Sequence, residues 1–594
     1  MDQYLPPLND INFILSDVVG LPELLSAPAF AEVDAESVEL VLGEVGRFMA
    51  EVVAPTNRAG DQTGSVRNAD GSVTTPPGFR AAYDQYVTSG FGAVPFDPRY
   101  GGGGFPWIAA IAIQEMLTSA NMAFSLCPLL TQGAIDAVDH HGSDEQRSMY
   151  LPKMLTGEWT GTMNLTEPQA GSDVGALTTK AEPVGDGSYR ITGQKIFITY
   201  GEHDLTDNII HLVLARTPGA APGTRGISMF LVPKFLVNPD GSLGERNDVT
   251  CVSIEHKLGI HGSPTCVLSY GDNKGAIGWL IGEEGDGMRN MFTMMNNARL
   301  SVGLQGLALA ERAYQQALAY ANERRQGTAI GAERGTSSPI IDHADVRRML
   351  MTQRAWIDAM RCLIYTNAAA IDRSKTRTGP EGEAARELAD LLIPLSKGLC
   401  TDVGNEMTSL AVQIHGGMGF IEETGAAQHY RDIRIAAIYE GTNGIQAADL
   451  VSRKLPMRGG AVVLECLDEI QSVAALLSGN DELKGFGQHL DAAVAATRRA
   501  TEWLLTNGSG NPNQALAAST PYLRALGTVV CGGLMGRLGL AAAAKTDDPQ
   551  GFYQAKLVSA RFFGEQILPT VIGLEAVVTA GVDDLFALRP GQLR

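Results

Sequence analysis

Apolar residues recur at helical spacing through the first part of the chain. They fall at every second position through the middle, then return to helical spacing up to the end. Residues 1–36 are short apolar pieces broken by prolines, the pattern of an N-terminal arm lying on the surface. Residues 37–159 read as a helical domain. Asp34 caps its first helix, Val38, Val41, Leu42, Val45, Phe48 and Val52 share one face, and Pro55 is the stop. The four glycines from Gly101 to Gly104 predict a turn between helices. No Lys-Ser/Thr follows them, as a phosphate loop would require.

From 160 to 285 the period is two. Leu177 to Glu182 and Tyr189 to Thr192 flank Gly185-Asp186-Gly187, a hairpin signal. Further β-rich runs at 209–215, 227–232, 249–254 and 265–270 are separated by turn residues and not by helices. They predict a central antiparallel β domain and exclude a Rossmann sheet. Residues 286–455 are helical again, with Met288, Met291, Met294 and Met295 on one stripe, read as core filling or as the wall of an apolar pocket. A Pro-Gly linker at 455–460 leads into a last helical domain, 456–594. The fold class is multidomain α+β. The most apolar stretch, 525–544, is interrupted by glycines and Arg537, as in a buried helix pair and not a membrane span.

Charge and cysteines narrow the function. A formal net charge of -20 repels phosphate backbones and excludes nucleic-acid binding. Seven scattered cysteines without a Cys-x-x-Cys pair fit a reduced, cytoplasmic protein, and neither they nor the histidines form a metal-site pattern. His140-His141 reads as a helix end. The N-terminus lacks the charged start and apolar core of a signal peptide.

One carboxylate attracts attention by its setting. Glu440 leaves the apolar run Ile435-Ala436-Ala437-Ile438-Tyr439 and directly precedes Gly441-Thr442-Asn443-Gly444. An acid partly stripped of water has a raised pKa and can accept a proton near neutral pH. Read alone, the stretch is more readily an ordinary loop acid beside a glycine turn. Likewise Arg324-Arg325 alone reads as a solvated helix end, and His415-Gly416-Gly417 as a helix C-cap.

Six motifs in order change that picture: Met163-Asn164-Leu165-Thr166-Glu167-Pro168-Gln169-Ala170-Gly171-Ser172-Asp173, Gly193-Gln194-Lys195-Ile196-Phe197-Ile198-Thr199, Asn296-Asn297-Ala298-Arg299, Glu323-Arg324-Arg325, Gln413-Ile414-His415-Gly416-Gly417 and Tyr439-Glu440-Gly441-Thr442. Set across the helix–strand–helix change, they resemble the acyl-CoA dehydrogenases. The resemblance implies that family's fold, a helical domain, a β domain and a four-helix bundle, here with an extra C-terminal helical domain. It also implies an FAD cofactor, an acyl-CoA substrate, an electron-transfer flavoprotein as acceptor, no membrane partner and a homodimer.

Residue by residue, the resemblance implies Glu440 as the catalytic base that removes the α-proton of the thioester. It implies flavin contacts from Met163, Leu165, Thr166, Gly171, Ser172, Phe197, Ile198 and Thr199, and from Thr442, Asn443 and Gly444 beyond the base. Arg324, His343, Gln413, Ile414, His415, Gly416 and Gly417 are implied for the rest of the FAD, reaching from a neighbouring subunit. Ser172, Asn296, Arg299 and Gly441 are implied for substrate. The family often has a tryptophan where this chain has Phe197, and an aspartate where it has Asn296. Some relatives carry the base just before the arginine of the third motif; here that residue is Ala298, which accepts no proton. Whole blocks around Gly157 to Pro168, Tyr200 to Leu205 and Met294 to Arg299 are similar to bacterial 3-(methylthio)propanoyl-CoA dehydrogenases of dimethylsulfoniopropionate degradation. Long-chain bacterial acyl-CoA dehydrogenases with the same extra C-terminal domain are near relatives, and a straight acyl-CoA, from butanoyl to long chain, is the alternative substrate.

Overall fold

A computed structural model describes residues 3–508 and 510–594, with the side chain of Asn296 outside the description. The chain forms two compact units. One comprises 44–105 and 116–298, the other 1–43, 106–115 and 299–594.

The first unit is built on an eight-stranded sheet: β1 (Trp159–Asn164), β2 (Lys180–Pro183), β3 (Ser188–Thr199), β4 (Asn208–Ala215), β5 (Ser228–Pro233), β6 (Val249–Ile254), β7 (Thr265–Tyr270) and β8 (Ala276–Ile281). The spatial order is β6-β7-β3-β8-β5-β4-β1, with β2 also paired to β3 through the Gly185-Asp186-Gly187 hairpin. One pair departs from the antiparallel expectation: β1 runs parallel to β4. The connection between them holds the β2–β3 hairpin and is long enough to return the chain to the same end of the sheet. Strand periodicity does not encode that direction. Every residue of β4 and β5 is buried, as expected of strands covered on both faces. Met291 and Met294 lie in one core with Leu129, Ile135, Leu212 and Leu231, and Met288 and Met295 pack against it, so the methionine stripe is core.

The second unit contains three long helices, α1 (Gly287–Glu323, which enters this unit at Arg299), α2 (Ala344–Thr376) and α3 (Gly379–His415). A fourth position is taken by a broken run, Ala426–Ile433, then a turn containing Glu440, then Asn443–Asp449. Helices α1 and α3 meet at glycines. A Cβ at Gly303 would lie 2.4 Å from the Ser396 carbonyl oxygen, and one at Gly306 only 2.0 Å from that of Cys400. Because the obstacle is backbone, Gly306→Ala should cost about 1–3 kcal/mol, read as a lowered unfolding midpoint.

Two expectations are corrected in this unit. The first residues are not a surface arm. Tyr4, Ile11, Ile14 and Leu15 are buried, because Leu8–Phe13 and Ile14–Val19 coil into helical turns that put these apolar residues on one face. The apolar stretch near 525–544 is not a helix pair but the later half of one continuous helix, α4 (Pro512–Ala543). Its glycines do not break it. They admit neighbouring side chains: a Cβ at Gly532 would meet Leu568 at 2.8 Å, and one at Gly533 would meet Ile470 at 2.9 Å. Alone among the described helices, α4 is long and apolar enough to cross a membrane, and 83% of its most apolar window is buried inside the protein.

A buried ionic cluster ties these parts together. Arg361 on α2 donates to Glu115 Oε1 at 2.6 Å and Glu311 Oε2 at 2.9 Å, and Tyr365 donates to Glu115 Oε2. Lys556 bridges Asp358 on α2 to Asp10 of the N-terminal segment, and Arg354 reaches Asp10 at 2.6 Å.

Candidate active site

In the β unit, the implied flavin residues are assembled by one buried ion pair. β1 ends at Asn164, and Leu165-Thr166-Glu167 turns away from it. Glu167 and Lys195 are both buried, 2.8 Å apart. Lys195 also donates to the Leu165 carbonyl at 3.0 Å, and Glu167 accepts from the backbone and hydroxyl groups of Thr178 and Thr179. Burial raises the Glu167 pKa, but the Lys195 charge and these donors outweigh it and hold the acid to about 2. Burial lowers Lys195 to about 8 against the pull of Glu167.

Beside this pair the β3–β7 register slips. Cys266 pairs with Ile198 and Leu268 with Lys195, so Ile196 and Phe197 oppose Val267 alone. This is a β-bulge, and Phe197 sits in it at φ 60. The bulge turns the Phe197 ring outward to 58% exposure, while the Ile196 N–H donates to the Thr166 carbonyl. Leu165, Thr166, Phe197, Ile198 and Thr199 are thus brought together, with Met163 half-buried on β1. Gly171 and Ser172 lie exposed on the loop beyond.

In the helical unit, Glu440 follows the short helical turn Arg434–Ala437 and adopts φ 55, a conformation uncommon for a side chain-bearing residue. Two cations face its carboxylate, Arg299 from α1 and Lys397 from α3, brought together by the Gly303–Ser396 contact. Burial raises the Glu440 pKa and the two cations only partly offset it, leaving it at about 7. Lys397 is buried and lowered to about 8, with Glu440 and Asp402 opposing the shift. Arg299 is also lowered by burial, with Asp449 and Glu440 opposing. Tyr439, next to the base, donates to Gln305 on α1.

The residues after the base serve the turn. Gly441 has φ 79, and Thr442 caps Asn443–Asp449 by accepting from the Ile445 N–H at 3.2 Å. Asn443 directs its side chain into α3: it accepts from Lys397 at 2.9 Å and donates to Asp402 at 2.6 Å. Gly444 is exposed. Asn296 belongs to α1, but its side chain lies outside the described residues.

A third cluster forms at the far end of α1 and α3. Tyr320, one turn before Arg324, stacks on His415 with ring centroids 4.5 Å apart. Arg324 lies just past the end of α1, and Gln413, Ile414, Gly416 and Gly417 lie at the end of α3. Arg324 is exposed, and its guanidinium has no partner among the described residues. His343 bonds the Gln326 carbonyl at 2.8 Å and so closes the loop after Arg324. His415 is buried and bonds the Ala411 carbonyl at 2.7 Å, while Gly416 and Gly417 leave open space where a Cβ would stand.

Taken separately, the β-unit cluster and the Arg324 cluster each suit a different part of an FAD. The bulge presents an exposed aromatic face. The Thr166 and Thr199 hydroxyls are without hydrogen bonds among the described residues, and donors of that kind suit a flavin edge. Arg324 offers a free fork for phosphate. Three residues carry no role in the sequence reading: Lys397, Gln305 and the buried Lys195, the last although it stands in the second motif. Lys397 left a signal, a lone cation inside the apolar run Leu391 to Cys400.

The comparisons with known proteins agree with this geometry. Family models match four successive segments: acyl-CoA dehydrogenase N-terminal domain over 35–158, middle domain over 162–272, C-terminal domain over 285–455, and acetyl-CoA dehydrogenase C-terminal like over 466–589. A 3-methylmercaptopropionyl-CoA dehydrogenase of Ruegeria pomeroyi is 45% identical over 95% of this chain and 96% of its own. A butyryl-CoA dehydrogenase of Syntrophomonas wolfei is 37% identical over 98% of this chain and 97% of its own. The structure of an acyl-CoA dehydrogenase from Bacillus anthracis, complexed with FAD, matches with a TM-score of 0.74 over 98% of this chain and 93% of its own; at 21% identity this is a likeness of fold. With all four segments matched and relatives aligned over nearly its whole length, the chain belongs to the acyl-CoA dehydrogenase family, whose members are FAD-dependent oxidoreductases.

Proposed function

We propose that this enzyme converts 3-(methylthio)propanoyl-CoA to its 2,3-enoyl thioester, with Glu440 as the base. The observation that carries the base is the Glu440 turn, where a half-buried carboxylate leaves an apolar run at φ 55 and burial raises its pKa to about 7 against the charges of Arg299 and Lys397. Bound FAD supplies a hydride acceptor for the β-carbon. Glu440 in its ionised form accepts the α-proton. The Glu440 backbone N–H is free of partners among the described residues and can donate to the thioester oxygen as negative charge builds there. The exposed Phe197 ring would pack against the flavin, and Thr166 and Thr199 would donate to its edge. Arg324 would hold phosphate oxygens of an FAD shared with a second subunit, so we also propose a homodimer. An electron-transfer flavoprotein takes the electrons.

The substrate reading rests on order of similarity, since the methylmercaptopropionyl-CoA relative is 45% identical and the butyryl-CoA relative 37%. Anaerobic flavin bleaching with 3-(methylthio)propanoyl-, butanoyl- and octanoyl-CoA tests it. The first thioester should bleach fastest at equal concentration. Faster bleaching by a straight-chain thioester would sink the substrate and favour the second reading, a straight-chain acyl-CoA dehydrogenase, with the chemistry intact.

Two further outcomes follow from the residues. Proton abstraction needs ionised Glu440, so the bleaching rate should fall as pH drops through about 7. A rate that is flat between about pH 6 and 8, checked by stopped-flow absorbance, would contradict that. Arg324→Ala should lower FAD retention after dialysis by about tenfold, the loss of one charge-assisted phosphate contact. Unchanged cofactor occupancy would make Arg324 a surface residue.

A further inference from the structure

The Glu440 turn is held from outside itself. Glu440 occupies a strained backbone region, and such conformations persist only when their surroundings over-determine them. Three residues later, Asn443 makes four contacts with α3: it accepts from Lys397 and donates to Asp402, Thr401 and the Gly398 carbonyl. Lys397 is fully buried, has no carboxylate within ion-pair distance among the described residues, and spends its one hydrogen bond on Asn443. A buried ammonium without a contact ion pair is expensive, and its burial here calls for a role.

We propose that Lys397 is a positioning residue for proton transfer: anchored through Asn443, it fixes the turn that presents Glu440 and sets a second positive charge facing its carboxylate. The inference rests on Glu440 being the base. The groups facing this centre come from every element packed on it. Arg299 of α1 and Lys397 of α3 face Glu440, and Tyr439 adjoins it in the turn. Asp449 and Arg453, beyond the turn, face Arg299. Asp402, itself beside Glu406 and Arg524, faces Lys397. Removing the Lys397 charge leaves Arg299 as the one cation facing Glu440, so the protonated acid is favoured and the acid limb of the reaction moves to higher pH.

The test is the pH dependence of anaerobic bleaching in the FAD-bound Lys397→Met, Lys397→Gln and Asn443→Ala variants. Both Lys397 variants should move the acid limb up by about one pH unit, so that bleaching on that limb falls about tenfold. Lys397→Gln, which keeps a donor for Asn443, should retain more of the alkaline plateau than Lys397→Met, and it decides the matter if the methionine variant does not fold. Asn443→Ala keeps the charge and should lower the plateau with a smaller shift of the limb. A merely structural lysine would lower the plateau or FAD occupancy and leave the limb in place, and that result in both Lys397 variants overturns the inference. Glu440→Gln is run alongside. If it is silent while the Lys397 limbs stay put, only Lys397's role fails; if it bleaches, the reading of Glu440 itself fails.

Discussion

Glu440→Gln yields a yellow, FAD-bound protein that acyl-CoA thioesters do not bleach. Glutamine keeps the size and should leave the turn's backbone as it is, but its amide accepts no proton at neutral pH. A positioned general base contributes about 10²- to 10⁴-fold, and the loss should reach at least the upper end because no neighbour can substitute. Ala298 offers no proton acceptor. Asp449 is paired with Arg453 at 2.8 Å, and Asp402 accepts from Asn443. Absorbance near the flavin maximum reads both halves of the prediction at once, cofactor bound and cofactor unreduced. Substantial bleaching in this variant would remove Glu440 from the chemistry. A protein that had lost its FAD would show instead that the turn itself had collapsed.

Arg361→Met should destabilise the helical unit by about 3–5 kcal/mol, the loss expected when one partner of a buried ionic group is removed. Arg361 is fully buried and is shared by two buried acids, Glu115 and Glu311. Methionine fills much of the volume but leaves both carboxylates in a medium that does not solvate them. Replacing all three together, Arg361→Met with Glu115→Gln and Glu311→Gln, should recover a large part of the loss, since the penalty comes from uncompensated charge. Urea unfolding of the FAD-bound protein reads this as a lowered midpoint for the single variant and partial recovery in the triple one. An unchanged midpoint in the single variant would mean that the cluster contributes nothing to stability.

How much was legible in the sequence depends on the range over which each feature is encoded. Periodicity carries local structure well. The β2–β3 hairpin follows from Gly185-Asp186-Gly187, and the end of a helix at His140-His141 is where the structure ends it. Sheet direction is not local, which is why the parallel β1–β4 pair was invisible. Glycines misled in one stretch: in 525–544 they read as breaks, whereas they are where side chains from other helices come close to α4. The N-terminal prolines suggested a surface arm because they obscured a helical spacing of Ile11, Ile14 and Leu15. At the site, Glu440 stood out because an acid leaving an apolar run is a local anomaly. Its cations, Arg299 and Lys397, come from helices that come close at glycines 303 and 306, a tertiary fact. Phe197 could be named from its motif, but its outward turn depends on a one-residue slip against β7. Asn443 was named for the cofactor, while its side-chain hydrogen bonds all go to α3.

Proton removal can be observed apart from oxidation. Acetyl-CoA has α-protons but no β-carbon, so an enzyme that binds it can exchange the α-protons but cannot take a hydride. In D₂O, the FAD-bound wild-type protein should exchange acetyl-CoA α-protons at a rate that rises with pH through about 7. Glu440→Gln with equal FAD content should not exchange them above the background of the thioester alone. Equal exchange by the two proteins would contradict the assignment of Glu440 as the base.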